Sequence, residues 1–559
     1  MSPVRPGARA TAARNLAQRQ LRDLGITPRA SNWFLGWTGP VAGPLTEETT
    51  VQAACGIAHV HGRRFGRPAL LHVDYPTAAA GVLAALGVLA VRVARARGLQ
   101  LRRAETSVVQ AALLLVSPYL AAGTANDGHP DPADAGGSPF RSADGVCFEL
   151  AAGEAEGWHR FWTVLAAGPD PIRVGWASFR LRHLTATCPL PGALFRAAAA
   201  VSFGAVEAAA TLAGVSVARV RAAGQPVRGE SPWRFTPSGP PVPSAGRPPR
   251  AAPLDGLAVI ELGHGARGSL AGHVLSLLGA RVIRVEPPGG DPARELPPLA
   301  GDTSAHYRAL NDGKRVTRLD LSSPGGRADL LSLVTGADVF LHNWTPGRAA
   351  QLRLDSEYLS RVRPGLVYAS AAGGGPGPGP TGPPSVDSLV QAHSGLAAEI
   401  GPSGAPAIPS LMPLTETIGG LLCAQGVLAG LWSRFRHGQG GRVDCSLLAA
   451  AELLRGMPRT ARRAPLSTED GWLGISADPF CHTQIGTAFD LPDPADHARL
   501  AERCAGRSSS HWLERLRELG VPAVEVCTDL AQLPRDPRFA PALCYADGYY
   551  APRPPWRFS

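Results

Sequence analysis

Three places in the chain bring together residue types at spacings that chemistry could use. The first is Gly263-x-Gly265-x-x-Gly268, which follows the apolar run GLAVIEL (256–262); Glu286 closes the next such run, ARVIRVE (280–286). Small residues at such a turn let backbone N–H groups and a helix N-terminus approach phosphate oxygens. An acid at the end of the second strand completes the pattern of a dinucleotide site. The same physics suits coenzyme A, which also carries an adenosine pyrophosphate, and a tight strand–helix turn with no ligand. The second place is Lys314, the only lysine among 55 basic residues, with Arg315 beside it. A compact ammonium on a flexible stem suits a phosphate, or simply a solvated loop. The third is Asp387, just after the glycine- and proline-rich segment 373–385 and at the head of an apolar helix. A carboxylate there can cap the helix, or act as a nucleophile or base.

The elements that must hold these residues follow from patterning. GLAVIEL, ARVIRVE, ADVFLHNW (337–344) and GLVYAS (365–370) read as buried strands, and Leu270–Leu278 as an apolar helix. Buried strands alternating with helices predict a parallel α/β sheet. The segment 236–253 is rich in proline and reads as a semi-rigid linker. The parts on either side share a repeat. Glu48-x-x-x-Gln52-Ala53-x-x-Gly56 matches Asp387-x-x-x-Gln391-Ala392-x-x-Gly395, and GVLAALGVLA (81–90) matches GLLCAQGVLA (420–429) at the same offset of 339 residues. Both copies pass through an Asp-Gly turn (Asp144-Gly145, Asp470-Gly471) and end in Pro-Trp-Arg-Phe (232–235, 555–558). These features predict four segments: a basic N-terminal arm over 1–30, a truncated first copy over 31–235, the linker over 236–253, and a second copy over 254–559. The front of the second copy, with its glycine loop, has no counterpart in the first.

Composition narrows the function classes. Hydrophobic residues at 45% and charged residues at 18% describe a globular chain. The formal charge is +10, but the arginines are scattered rather than gathered in a stripe, which argues against nucleic acid and fits an anionic small ligand. The nine cysteines form no C-x-x-C pair and are odd in number, which argues against a zinc site or a disulfide scaffold and for the cytoplasm. The longest apolar stretch, Ala78 to Val91, is too short to span a bilayer. The arginine-rich N-terminus has a transit-peptide-like composition and reads as a frayed arm.

Residues 254–459 resemble the class III CoA-transferases, the crotonobetainyl/formyl-CoA transferase family that also includes the α-methylacyl-CoA racemases. The carriers are PLDGLAVIELGHGARGSLAGHVLSLLGARVIRVEPPGGDPAR, ALNDGKR, ADVFLHNWTPG, LVYAS, PSVDSLVQAHSGL and GQGGRVDCSLLAA, in the family's order. Residues 37–235 resemble the same family from the aspartate helix onward. The resemblance implies a large Rossmann-like domain, a reduced small α+β domain, and interlocked pairing, either between the two copies of one chain or in a homodimer. It implies that Asp387 is the catalytic aspartate. It places Gly265, Arg267, Gly268, Arg284, Lys314 with Arg315, Asn343 and Trp344 at coenzyme A-contacting positions, and Gly374 in a loop whose N–H groups stabilise oxyanions. Acyl-CoA and carboxylic acid would be the substrates, with no metal and no nicotinamide. Glu416 falls on the second carboxylate of the racemases, but their histidine is replaced by Val386. Transfer of coenzyme A is therefore expected before racemisation or a non-catalytic partner role. Glu48 and Thr77 occupy in copy one the places of Asp387 and Glu416, so one functional site per chain is expected.

Overall fold

The alternating runs of the second copy form the sheet that the patterning predicts. In the computed structural model, which describes residues 8–27, 29–125, 136–224, 231–239, 241–242, 250–263, 265–373, 385–458 and 462–559, seven strands lie side by side. Their order is Arg315–Arg318, Arg281–Glu286, Ala258–Leu262, Val339–His342, Val367–Gly373, Gly441–Ser446 and Trp233–Pro237. The first six are mutually parallel. Numbered along the copy they run 3-2-1-4-5-6, the doubly wound order in which ligands bind beyond the carboxyl ends of the strands where the order reverses. That crevice lies between Ala258–Leu262 and Val339–His342, where the glycine loop and Asn343 emerge.

The seventh strand belongs to the other copy. Trp233–Pro237 pairs antiparallel with Gly441–Ser446, setting Arg234 opposite Asp444 and Phe235 opposite Val443. The second copy returns the same contact: Arg557–Phe558 joins Ala104–Ser107, with Arg557 opposite Glu105 and Phe558 opposite Ala104. The two exchanges are equivalent in pairing: Val443 and Asp444 stand at the repeat offset of 339 from Ala104 and Glu105, while the tags themselves are 323 residues apart. Each tag seats its tryptophan on a helix glycine: an ideal Cβ on Gly426 would lie 3.3 Å from Trp233, and one on Gly87 3.1 Å from Trp556.

Those glycines belong to the two longest helices, Tyr75–Ala96 and Leu414–His437, which pack against each other at the centre. By length and composition both could cross a membrane, contrary to the sequence reading, but 94% of each apolar window is buried inside the protein. Arg92 interrupts the run in sequence, yet its guanidinium lies over the Trp432 ring, 5.6 Å from the centroid.

The N-terminal arm is also corrected. Residues Ala8–Asp23 form a helix packed on Tyr75–Ala96, with Ala13, Leu16, Ala17, Gln20 and Leu21 buried. Gln20 accepts a hydrogen bond from Gln425 at 3.0 Å, and Gln425 in turn accepts from Trp233 at 2.9 Å. The linker boundary shifts too, because strand Trp233–Pro237 runs into it and Val242 N–H still reaches the Gly438 carbonyl at 2.9 Å.

Each copy contributes a small sheet: Phe140–Arg141, Cys147–Ala151 and Ser216–Arg219 in the first, Leu466–Ser467, Trp472–Ile475 and Ala523–Glu525 in the second. Helix Asp387–Ser394 of copy two packs on the sheet of copy one, and helix Glu48–Ala54 packs on the sheet of copy two. Arg221 N–H donates to the Ala392 carbonyl and Cys527 N–H to the Ala53 carbonyl, both at 3.0 Å.

Candidate active site

Asp387 opens its helix but caps another. Its Oδ1 accepts from Thr415 N–H at 2.7 Å, the Thr415 hydroxyl at 2.6 Å and Glu416 N–H at 2.9 Å. Those donors lie in the first turn of Leu414–His437, whose free N–H groups need acceptors and whose dipole favours an anion. Oδ2 accepts from the Gln391 amide. Gln391 is fixed in that orientation because its oxygen takes Ser410 N–H at 2.7 Å. Asp387 is 2% exposed, and burial, with the charge of Glu416 second, pushes its carboxyl up to about 6. The expected cap of its own helix is not made, since Val386 is the N-cap residue there and the carboxylate serves Leu414–His437 instead.

Asp387 borders a cavity of about 330 Å³. Gly265, Arg284, Val386 and Glu416 of copy two share it with Tyr119 and His183 of copy one, so its walls come from both halves of the chain. Gly265 has φ +73°, and a Cβ there would lie 3.7 Å from the Glu416 carboxylate. The flanking glycines serve the protein instead. A Cβ on Gly263 would fall 1.9 Å from Asn343 Oδ1, and one on Gly268 3.3 Å from the same amide. Asn343 therefore packs under the loop.

Behind the loop is a buried charge network. Arg284 donates to Glu261 at 2.5 Å, to Asp291 at 2.6 Å and to the Gly263 carbonyl at 3.0 Å. Lys314 departs from the expected phosphate contact. Its ammonium, fully buried, donates to Glu261 at 2.8 and 3.0 Å, to the Ser269 carbonyl at 2.8 Å and to Asn311 at 2.9 Å. Three N–H bonds facing four acceptors leave none for an external phosphate. Burial lowers this amine to about 8, with the Glu261 charge opposing. Gly272 makes room for the pair, since a Cβ there would meet the Glu261 carboxylate at 1.6 Å.

The remaining sequence candidates divide. Arg315 is exposed at the start of the edge strand. Trp344 is half-buried, 4.9 Å from His342 and 6.2 Å from Phe340 between ring centres. Glu286 is bound to Arg294 and Tyr307. Gly374 and the side chain of Arg267 lie outside the described residues.

The fold and the sequence have counterparts in known proteins. The model of CoA-transferase family III matches residues 33–232 and again 254–470. The chain belongs to CoA-transferase family III. Over 331 residues it is 38% identical to the acetyl-CoA:oxalate CoA-transferase of Acetobacter aceti, covering 84% of that protein and 52% of this chain. It is 28% identical over 315 residues to the succinyl-CoA:glutarate CoA-transferase of Homo sapiens, covering 70% of that protein and 48% of this chain. A solved CAIB/BAIF family protein from Brucella suis matches with a TM-score of 0.50 at 27% identity, over 93% of its chain and 56% of this one. Each of these matches covers about half of this family III transferase, which the family model matches in two segments.

Several residues around the cavity escaped the sequence reading. Glu261 carried a signal, a lone acid within an apolar strand. Tyr119 and His183 carried none, because they reach the cavity of copy two from helices of copy one.

Proposed function

We propose that the chain moves coenzyme A from an acyl-CoA to a carboxylic acid, with Asp387 as the nucleophile. The carboxylate attacks the thioester carbonyl, and the carbon–sulfur bond breaks to give an aspartyl–acyl anhydride and CoA thiolate. The thiolate attacks the aspartyl carbonyl and releases the donor acid, leaving an aspartyl–CoA thioester. An acceptor carboxylate then reverses the two steps. A carboxylate suits this exchange because its anhydride and thioester are both activated.

The observation that carries the reading is the Asp387 carboxylate, pinned by four donors beside a cavity large enough for an acyl group. A carboxyl near 6 is still mostly ionised at neutral pH, and so more basic than an ordinary aspartate without being silenced. Racemisation needs a second proton carrier across the α-carbon; Glu416 could supply one, but Val386 stands where the resemblance to the racemases puts their histidine. Incubation with acyl-CoA donors and hydroxylamine tests the proposal. A hydroxamate on the Asp387 peptide is expected. Transfer that survives Asp387→Asn in a folded protein overturns it.

A further inference from the structure

Glu416 holds the third position of helix Leu414–His437, where a glutamate ordinarily reaches back to the N–H of the capping residue. Here that residue is Pro413, which has no N–H to offer. The N–H groups of Thr415 and of Glu416 itself are taken by Asp387. The Glu416 side chain is thus released from its usual local bond. It is half-buried and borders the cavity, and its Oε2 lies 3.7 Å from the place a Cβ would take on Gly265. The carboxylate therefore faces the glycine loop, while the backbone of the same residue holds the Asp387 carboxylate at 2.9 Å.

A second anion so close to Asp387 has a cost, since its charge adds to burial in raising the aspartate carboxyl to about 6. A donor bound to Glu416 offsets that cost. Copy one shows the same framework without the second anion. Thr77 stands at the equivalent place and gives both its N–H, at 3.3 Å, and its hydroxyl to Glu48. The glutamate thus belongs to the copy whose aspartate borders the cavity with Gly265. The chemistry of coenzyme A supplies a donor that fits. In its thioesters the sulfur is followed by two methylenes and then an amide N–H. With the thioester carbonyl at Asp387 and the arm leading toward the glycine loop, that amide is the first polar group to pass Glu416.

We propose that Glu416 is a binding residue for the pantetheine arm: its carboxylate accepts the amide N–H nearest the sulfur of coenzyme A and so holds the thioester carbonyl against Asp387. This rests on the transferase reading above. An amide N–H drawn from water into the protein needs an acceptor, and an ionised acceptor gives the stronger bond. The bond also sets the direction of the arm, with the amide toward Gly265 and the carbonyl toward Asp387. It serves every stage of the exchange. The amide is the same in the donor thioester, the free thiolate and the aspartyl thioester, so one anchor retains coenzyme A while the acyl groups change.

The test uses the full chain with coenzyme A, dephospho-coenzyme A and a coenzyme A methylated on that amide nitrogen, with binding read by calorimetry and transfer followed separately. The wild type is expected to bind the methylated compound about 30-fold more weakly than coenzyme A, within the range for a hydrogen bond to a charged group. Glu416→Leu should weaken coenzyme A by a similar factor and bind the two compounds alike. The loss on removing the 3′-phosphate should be the same in both proteins. Glu416→Gln keeps an acceptor and the side-chain shape without the charge, and its methyl penalty should fall to about fivefold, as for a neutral bond. Equal binding of the two compounds by the wild type overturns the proposal, whether or not the variants fold. So does a methyl penalty undiminished in Glu416→Leu, which would mean that the methyl group clashes elsewhere. Unchanged coenzyme A affinity in Glu416→Leu also overturns it, and loss of α-deuterium uptake by acyl-CoA in that variant would then assign Glu416 to proton transfer. Binding as expected without any transfer would instead count against the transferase reading alone.

Discussion

Ionising Asp387 costs the fold free energy, because its carboxylate is buried beside Glu416 and its pKa is raised from 3.8 to about 6. The folded state holds its proton more tightly than the unfolded one, so this contribution weakens stability as pH rises from about 4 to 6. Asp387→Asn should therefore be the more stable protein above pH 6, by ~2 kcal/mol, and lose that advantage below pH 4, as urea titrations across pH would show. The same variant should lose transfer by ~10³-fold or more, the scale of removing a nucleophile. In the wild type kcat/KM should fall about tenfold per unit below pH 6, as the nucleophile is protonated. Lys314 calls for a different prediction from the one its rarity suggests. Since its ammonium is paired with Glu261 in the interior, Lys314→Met should lower stability by ~3–5 kcal/mol, the cost of stranding a buried charge. Calorimetry on the folded variant should show a far smaller change in coenzyme A affinity; a loss of affinity without a loss of stability would return Lys314 to the phosphate.

The exchanged tags are where elements of one copy complete the other, and their tryptophans anchor them. Trp556 is 7% exposed, packs on Gly87 and donates to the Leu83 carbonyl at 2.8 Å. Trp556→Ala should cost ~3–5 kcal/mol in denaturant unfolding, the range for emptying a buried aromatic site. Little of this exchange was legible in the sequence. The repeated Pro-Trp-Arg-Phe could be seen, but a short strand carries no mark of its partner, and here the partners are hundreds of residues away. The strand–loop–helix around Gly265 and the helix at Asp387 were legible because local patterning defines them. The N-terminal helix was legible and passed over: Ala13, Leu16, Ala17, Gln20 and Leu21 recur with helical period along one buried face. Arginines on the other face made the segment read as an arm. Lys314 was misjudged for a related reason, since sequence shows that a charge is present but not whether an acid such as Glu261 already holds it.

The whole molecule is two unequal halves closed on each other, and the inequality decides how many sites one chain holds. Around Glu48 the framework of the Asp387 site is reproduced: Gln52 takes Leu71 N–H at 2.9 Å and donates to Glu48 at 3.2 Å, as Gln391 serves Ser410 and Asp387. Beyond the framework the copies diverge. Where copy two has Pro413, copy one has Asp74, paired with Arg462, and both side chains are buried. Thr77 replaces Glu416 and donates its hydroxyl to Glu48. Burial, with Asp74 adding, raises Glu48 to about 7, against the opposing charge of Arg462. The place that borders a cavity in copy two is thus occupied in copy one by an ion pair from both copies. Among the described residues, copy one brings no glycine loop to this place as copy two brings Gly265 to the cavity beside Asp387. Its remaining role is to wall the cavity of copy two with Tyr119 and His183 and to lend it an edge strand. Calorimetry should accordingly find one coenzyme A per chain. Glu48→Gln should keep most of the transfer rate, whereas Asp387→Asn should abolish it. Residues 254–559 expressed alone should be inactive, since they lack half of the cavity wall, and co-expression with residues 1–253 should restore activity. Two coenzyme A molecules per chain, or equal losses from the two substitutions, would mean that the first copy has kept a working site.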